Sequence, residues 1–312
     1  MTRHLRSLLD LDAADTQRVL NLAAEVKREP QRFARALAGK SVALIFAKQS
    51  TRTRISFEVG AHQLGAQALV LSSGGGTGMQ MGRGETIHDT AKVLSRFVQG
   101  IVIRTFEQDQ VEELAHHGTV PVINALTDRF HPCQALADLL TIREKLGDTK
   151  GQVLAYVGAG NNMAHSLMLA GPRAGMDVVV ACPPQLRPER DILDRAVADA
   201  TAVGTRVFVT SDVMAAVASA DVVYTDTWIS MGEEEEAARL RQLLANYQVS
   251  AEVMRATGKE SAIFMHCLPA HRGEEVTDEV MDGPWSVVFD QAENRLHVQK
   301  ALLLLLLGAE SF

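Results

Sequence analysis

The chain has 312 residues, 46% of them hydrophobic and 22% charged, with a formal net charge of −7. That length predicts two domains rather than one core, and the acidic excess argues against a general nucleic-acid surface. Three scattered cysteines (Cys133, Cys182, Cys267) fit neither a disulfide framework nor a zinc site, no secretory signal is visible, and the longest apolar run, Ala301–Leu307, falls far short of the roughly 20 residues that span a bilayer, so a cytoplasmic protein without membrane attachment is expected.

Ser41–Phe46 reads as a buried strand. Behind it stands Ser50-Thr51-Arg52-Thr53-Arg54, where Ser50 or Thr51 can cap a helix beginning at Arg52–Glu58. Free N–H groups at a helix start, two guanidinium groups and three hydroxyls suit a small phosphate dianion. The same residues on their own would also make an ordinary N-cap. A helix over Arg54–Leu64 and a strand over Ala68–Leu71 follow, then a glycine-rich loop, Ser72–Gly84. Thr86–Phe97 reads as a helix, Gly100–Arg104 as a strand, Val111–Gly118 as a helix and Pro121–Asn124 as a strand. His131-Pro132-Cys133-Gln134 then opens a helix over Ala135–Lys145, with Pro132 suited to its first turn. There His131 can stabilise charge on a carbonyl oxygen, and Gln134 offers both a donor and an acceptor to an amide-like group. Gly147-Asp148-Thr149-Lys150-Gly151 marks the expected domain boundary.

The alternation resumes with strands over Gln152–Val157, Asp177–Ala181, Arg206–Thr210, Val222–Thr225, Ala262–Met265 and Val287–Phe289, and helices over Asn162–Ala174 and Asp212–Ala218. This is the pattern of α/β domains, each a parallel sheet flanked by helices. Gly158-Ala159-Gly160-Asn161-Asn162 is half of a dinucleotide fingerprint, but it lacks the third glycine and an acidic residue closing the next strand, so nicotinamide binding is not expected. Its asparagines are candidates for holding a carboxylate or ammonium. Asp226, at a strand end, can bind a cationic amine or cap a helix. Cys267 in His266-Cys267-Leu268-Pro269 can be a nucleophile, a proton acceptor or an inert buried thiol. Glu233–Glu236 reads as a solvated helix start, and the six leucines 302–307 as a helix buried against another domain or subunit.

In order along nearly the whole chain, Ser50–Arg54, His131–Gln134, Asp226 with Ser230-Met231-Gly232, His266–Pro269 and Glu293-Asn294-Arg295 resemble the signatures of the aspartate/ornithine carbamoyltransferase family. The resemblance implies two domains, residues 1–147 for carbamoyl phosphate and 151–287 for the amine substrate. It also implies an active site in the cleft between them and a C-terminal helix, 291–312, packed back on the first. It assigns Ser50, Thr51, Arg52, Thr53, Gln80, Arg104, His131, Gln134, Cys267, Leu268 and Arg295 to carbamoyl phosphate, and Asn162, Asp226, Ser230 and Met231 to ornithine. Arg52, Arg104, His131 and Cys267 would act in catalysis. The implied reaction carries the carbamoyl group to the side-chain amine of L-ornithine, in arginine biosynthesis, with no metal and no organic cofactor. N-acetylornithine, putrescine and aspartate are the alternative acceptors. A homotrimer or a multiple of trimers is implied. Two places depart from the family pattern: the glycine-rich loop before Gln80 is long, and Ala159 stands where many relatives have an acidic residue.

Overall fold

The computed structural model describes residues 2–48, 50–72, 81, 84–229 and 234–308. The chain forms two compact units, Met1–Leu140 with Arg295–Phe312, and Thr141–Asn294.

The first unit opens with α1 (Ala13–Arg28), whose Asp12 side chain accepts from the Asp15 N–H at 2.7 Å and whose Val19, Leu20, Ala23 and Val26 are buried. Sequence reading did not single this helix out, although the Asp12 cap and the apolar spacing were there to be read. There follow β1 (Ser41–Phe46), α2 (Thr51–Gln63), β2 (Gln67–Ser72), α3 (Ile87–Phe97), β3 (Gly100–Arg104), α4 (Gln108–His117), β4 (Val122–Leu126) and α5 (Pro132–Leu146). The sheet is parallel in the order β2-β1-β3-β4. Its central strands are near-continuous apolar runs because helices cover both faces, and each fully buried Val, Leu or Ile contributes about 1.5–3 kcal/mol. Strand β2 lies at the sheet edge and is largely exposed.

In the second unit come β5 (Val153–Val157), α6 (Asn162–Arg173), β6 (Asp177–Ala181), α7 (Arg190–Val203), β7 (Val207–Thr210), α8 (Val213–Val217), β8 (Val222–Thr225), α9 (Ala237–Leu244), α10 (Ala251–Arg255), β9 (Ile263–His266) and α11 (Asp278–Met281). This sheet is also parallel, in the order β7-β6-β5-β8-β9. The last helix, α12 (Val288–Leu307), contributes its first turns to the second unit and the rest to the first. Within the first unit its leucines are buried, and Leu307 lies so close to Gly100 that a Cβ there would stand 2.8 Å from it.

One expected element is absent as such. Val287–Phe289 is not a strand: Val288 and Phe289 begin α12, and the Gln291 N–H donates to the Val287 carbonyl at 2.9 Å. Three β-prone residues cannot outweigh the long helical pattern that follows them, and the sheet contact in this region is a single bridge between Phe264 and Ser286.

Each sheet has one place where successive connections leave in opposite directions. In the first it lies between β1 and β3, in the second between β5 and β8. Such points open a crevice beyond the carboxyl ends of the strands, the ordinary location of ligand sites in open parallel sheets. The predicted motifs fall there: Ser50–Arg54 after β1, Arg104 at the end of β3, Asn161-Asn162 after β5 and Asp226 after β8.

Candidate active site

In the first unit, Ser50 caps α2: its Oγ accepts from the Thr53 N–H at 3.2 Å. That fixes the first turn and buries Thr53, whose hydroxyl accepts from Arg295 at 2.6 Å and from Arg104 at 3.4 Å. Two guanidinium groups from β3 and α12 therefore converge on one hydroxyl at a helix N-terminus, an arrangement that favours an oxyanion. Thr51 and Arg52 are exposed at the same turn.

His131, at the entrance to α5, is buried, and its pKa is held well below 6.5 by burial first and then by Arg295, Arg104, Arg52 and Lys48. The imidazole is therefore neutral at ordinary pH and can donate without adding a cation. Linkage gives a test. The unfolded chain binds a proton here as pH falls through about 6.5 and the folded chain does not, so stability is full above that pH and declines below it. Denaturant unfolding between about pH 7 and pH 5 should show a shallower loss for His131→Asn than for the wild type.

Lys48 is a further cation that sequence reading missed. It is buried, 2.8 Å from Asp128 and 4.8 Å over the Phe106 ring. Gln134 is fully buried and donates from Nε2 to Asp138 at 2.8 Å, while its Oε1 has no partner among the described residues. Gln80 lies outside the described residues.

The second unit gathers around Asp226. Its Oδ1 accepts from the Thr227 N–H at 2.8 Å and from the Cys267 thiol at 2.9 Å, and its Oδ2 accepts from Asn161 Nδ2 at 2.9 Å. Asn161 caps α6 through Oδ1, which takes the Met163 and Ala164 N–H groups and the Tyr156 hydroxyl at 3.0–3.2 Å. With every one of these donors on the oxygen, its NH₂ must face Asp226. Burial, then Asp226 and the nearby thiols, pushes the Tyr156 phenol well above its usual pKa, so it stays a donor. Asn162, predicted as a ligand, begins α6 and is half-buried, one residue beyond this network. Ser230 and Met231 lie outside the described residues.

Gly160 permits that turn. A Cβ there would lie 2.1 Å from the Pro188 nitrogen. Gly160→Ala is expected to cost about 1–3 kcal/mol in thermal or denaturant unfolding and, by displacing Asn161, to disturb Asp226 as well.

Cys267 and Leu268 follow β9. Leu268 has φ = 60°, an uncommon conformation for a branched residue, and its N–H donates to His266 Nδ1 at 2.8 Å. That bond leaves the His266 proton on Nε2, 3.2 Å from Glu275, and both side chains are wholly buried. The His266 N–H in turn donates to Gln291, which donates to Tyr224. Asn161 was one of two asparagines read as candidate ligands, and it bonds Asp226; Asp138 and Glu275 were not read as site residues because each acts through a partner rather than through a motif. Asp226, His266 and Cys267 bring ligand atoms within 4.8 Å of one another, but the His266 nitrogens are both engaged and the thiol bonds Asp226, so the group is a hydrogen-bond network rather than a metal cage. The other cysteines, Cys133 and Cys182, are buried, with thiols pushed up by burial to about 12 and about 11.

Comparison with known proteins finds two family domains in succession. Residues 3–144 match the carbamoyl-P binding domain of aspartate/ornithine carbamoyltransferases, and residues 150–306 match their Asp/Orn binding domain. The ornithine carbamoyltransferase of Methanobrevibacter smithii is 55% identical over 91% of this chain and 93% of its own. That of Anoxybacillus flavithermus is 53% identical over 96% and 95%. The solved ornithine carbamoyltransferase from Pyrococcus furiosus superposes with a TM-score of 0.94 at 49% identity, covering 98% of this chain and 97% of that one. By its two domains, its sheets and its full-length relatives, the chain belongs to the aspartate/ornithine carbamoyltransferase family.

Proposed function

We propose that the protein transfers the carbamoyl group of carbamoyl phosphate to the side-chain amine of L-ornithine, yielding L-citrulline and phosphate. The observation that carries the reading is that the two sheet crevices hold unlike sites, one in each unit. One is a cationic cradle on Thr53, and the other is a carboxylate, Asp226, held by three donors.

In this reading Ser50, Thr51, Arg52, Thr53, Gln80, Arg104 and Arg295 hold the phosphate. Arg52, Arg104 and Arg295 also stabilise the charge that grows as phosphate leaves. His131, kept neutral, donates to the carbamoyl oxygen, and Gln134 accepts from the carbamoyl NH₂. Asn162, Asp226, Ser230 and Met231 hold the α-carboxylate and α-ammonium of ornithine. Cys267 and Leu268 are assigned to carbamoyl phosphate as well. The attacking amine must be neutral, yet in water it is almost wholly protonated; desolvation beside the guanidinium groups lowers its pKa. The amine nitrogen then bonds the carbamoyl carbon, the bond from that carbon to the bridging oxygen breaks, and phosphate leaves with the electron pair and takes up the proton that the nitrogen sheds. Cys267 donates its proton to Asp226, which suits a positioning group better than a covalent nucleophile. No metal or cofactor enters this scheme.

Because carbamoyl phosphate is a mixed anhydride, transfer runs towards citrulline, and we assign the protein to arginine biosynthesis in the cytoplasm. Among the described residues no helix is long and apolar enough to cross a membrane. A homotrimer, or a multiple of trimers, is also part of the proposal. Its support is the apolar surface that one chain leaves bare at the edge of the first sheet: Ile55, Val59 and Leu69, with Val93 and Phe97 on α3. Citrulline formation from carbamoyl phosphate and L-ornithine tests the reaction, with parallel assays on N-acetylornithine, putrescine and aspartate. Activity with ornithine alone is expected, and preference for another amine would overturn the acceptor assignment.

A further inference from the structure

We infer that Asp138 is a positioning residue that fixes which end of the Gln134 amide meets the donor substrate, and that it thereby selects a carbamoyl over an acetyl phosphate. The inference rests on the proposed function, since it takes Gln134 to face the carbamoyl group. Gln134 and Asp138 lie one helical turn apart on α5, and both are fully buried. Gln134 Nε2 donates to Asp138 Oδ1 at 2.8 Å. In that contact the carboxyl oxygen is the acceptor, so it pairs with the NH₂ end of the amide and not with the carbonyl end. The sense of the glutamine is thus set by its neighbour rather than by the ligand. Its Oε1, buried and without a partner among the described residues, is left as an acceptor.

Carbamoyl and acetyl phosphate share shape and charge and differ only in NH₂ against CH₃. An acceptor fixed in place rewards the first. Against the second it remains buried and unpaired, the situation in which polar sites reject analogues most strongly. If the amide were free to turn, its NH₂ end would meet the carbamoyl NH₂ donor to donor, and the distinction between the two compounds would fade.

Asp138→Asn tests this with nearly the same volume. Asparagine carries a donor and an acceptor, so Gln134 can reverse while both side chains stay bonded. Acetyl phosphate is competed against carbamoyl phosphate in equilibrium binding to the full-length wild-type protein, to D138N, to Gln134→Met and to the double variant. The expected result is a preference for carbamoyl phosphate in the wild type that falls roughly tenfold or more in D138N and in Q134M. In the double variant it should fall no further than in Q134M, because the selection by Asp138 passes through Gln134. A structural role for Asp138 would instead weaken both ligands equally and persist in the Q134M background; that outcome, or an unchanged preference in folded D138N, overturns the inference.

Should D138N fail to fold, the side-chain amide protons of Gln134 in the wild type, assigned by their loss in Q134M, decide the matter. Slow exchange that is unchanged when carbamoyl phosphate binds supports the fixed sense, and free exchange overturns it. Wild-type protein that binds neither compound overturns the proposed function itself.

Discussion

Arg295→Lys should lower kcat/KM for carbamoyl phosphate by about 10²–10³-fold, the scale of truncating one partner of a buried charge pair. The buried guanidinium donates to Thr53 at 2.6 Å and is the foremost cation acting on His131. Lysine keeps the charge but presents one nitrogen, so it cannot bond Thr53 and a phosphate oxygen in the same planar fork. The loss should appear mainly as weaker carbamoyl phosphate binding, with a smaller fall in kcat, because phosphate is charged both in the ground state and as it departs. Arg295→Met should lose more, and its His131 should titrate closer to the ordinary histidine range, since one of the cations holding it down has gone. Equilibrium binding of carbamoyl phosphate, together with an NMR titration of the His131 ring, measures both effects. Wild-type affinity in folded R295K would remove Arg295 from the cradle.

The Ser50–Thr53 turn was legible because its parts are local. Ser50 caps α2, and Arg52 and Thr53 lie on its first turn, so a strand-to-helix transition read from a dozen residues fixes them relative to one another. The parallel sheets were legible for a similar reason, since apolar runs such as Ser41–Phe46 and Asp177–Ala181 alternate with helical patterns. Legibility failed where a side chain's meaning depends on a distant partner. Lys48 is a cation like any other until Asp128 and Phe106 hold it near His131. Asn161 looks like one of two equivalent asparagines until Tyr156 and the α6 N–H groups occupy its oxygen and turn its NH₂ to Asp226. Glu275 belongs to no motif, and its pairing with His266 spans nine residues of irregular chain. At Val287–Phe289 the error ran the other way: local β preference was read without the helix downstream that overrides it.

Asp226→Asn carries the second large expected effect, in the opposite half of the chemistry. Asp226 accepts from Asn161, Thr227 and Cys267, and these donors leave the carboxylate free to present its remaining lone pairs to an ammonium. In D226N that charge is gone. One side of the new amide must also bring an NH₂ against a donor: Asn161 Nδ2 on one side, or the Thr227 N–H and the Cys267 thiol on the other. Both losses bear on the acceptor and neither on carbamoyl phosphate. The KM for ornithine should therefore rise by about 10²-fold or more, while equilibrium binding of carbamoyl phosphate changes by less than about threefold. Cys267→Ser, which keeps a hydroxyl donor to Asp226, should show a milder change in the same direction. An Asp226→Asn enzyme with unaltered ornithine KM would show that the amine is recognised elsewhere. Equal losses for both substrates would mean that Asp226 supports the fold of the β8 crevice rather than the binding of an amine.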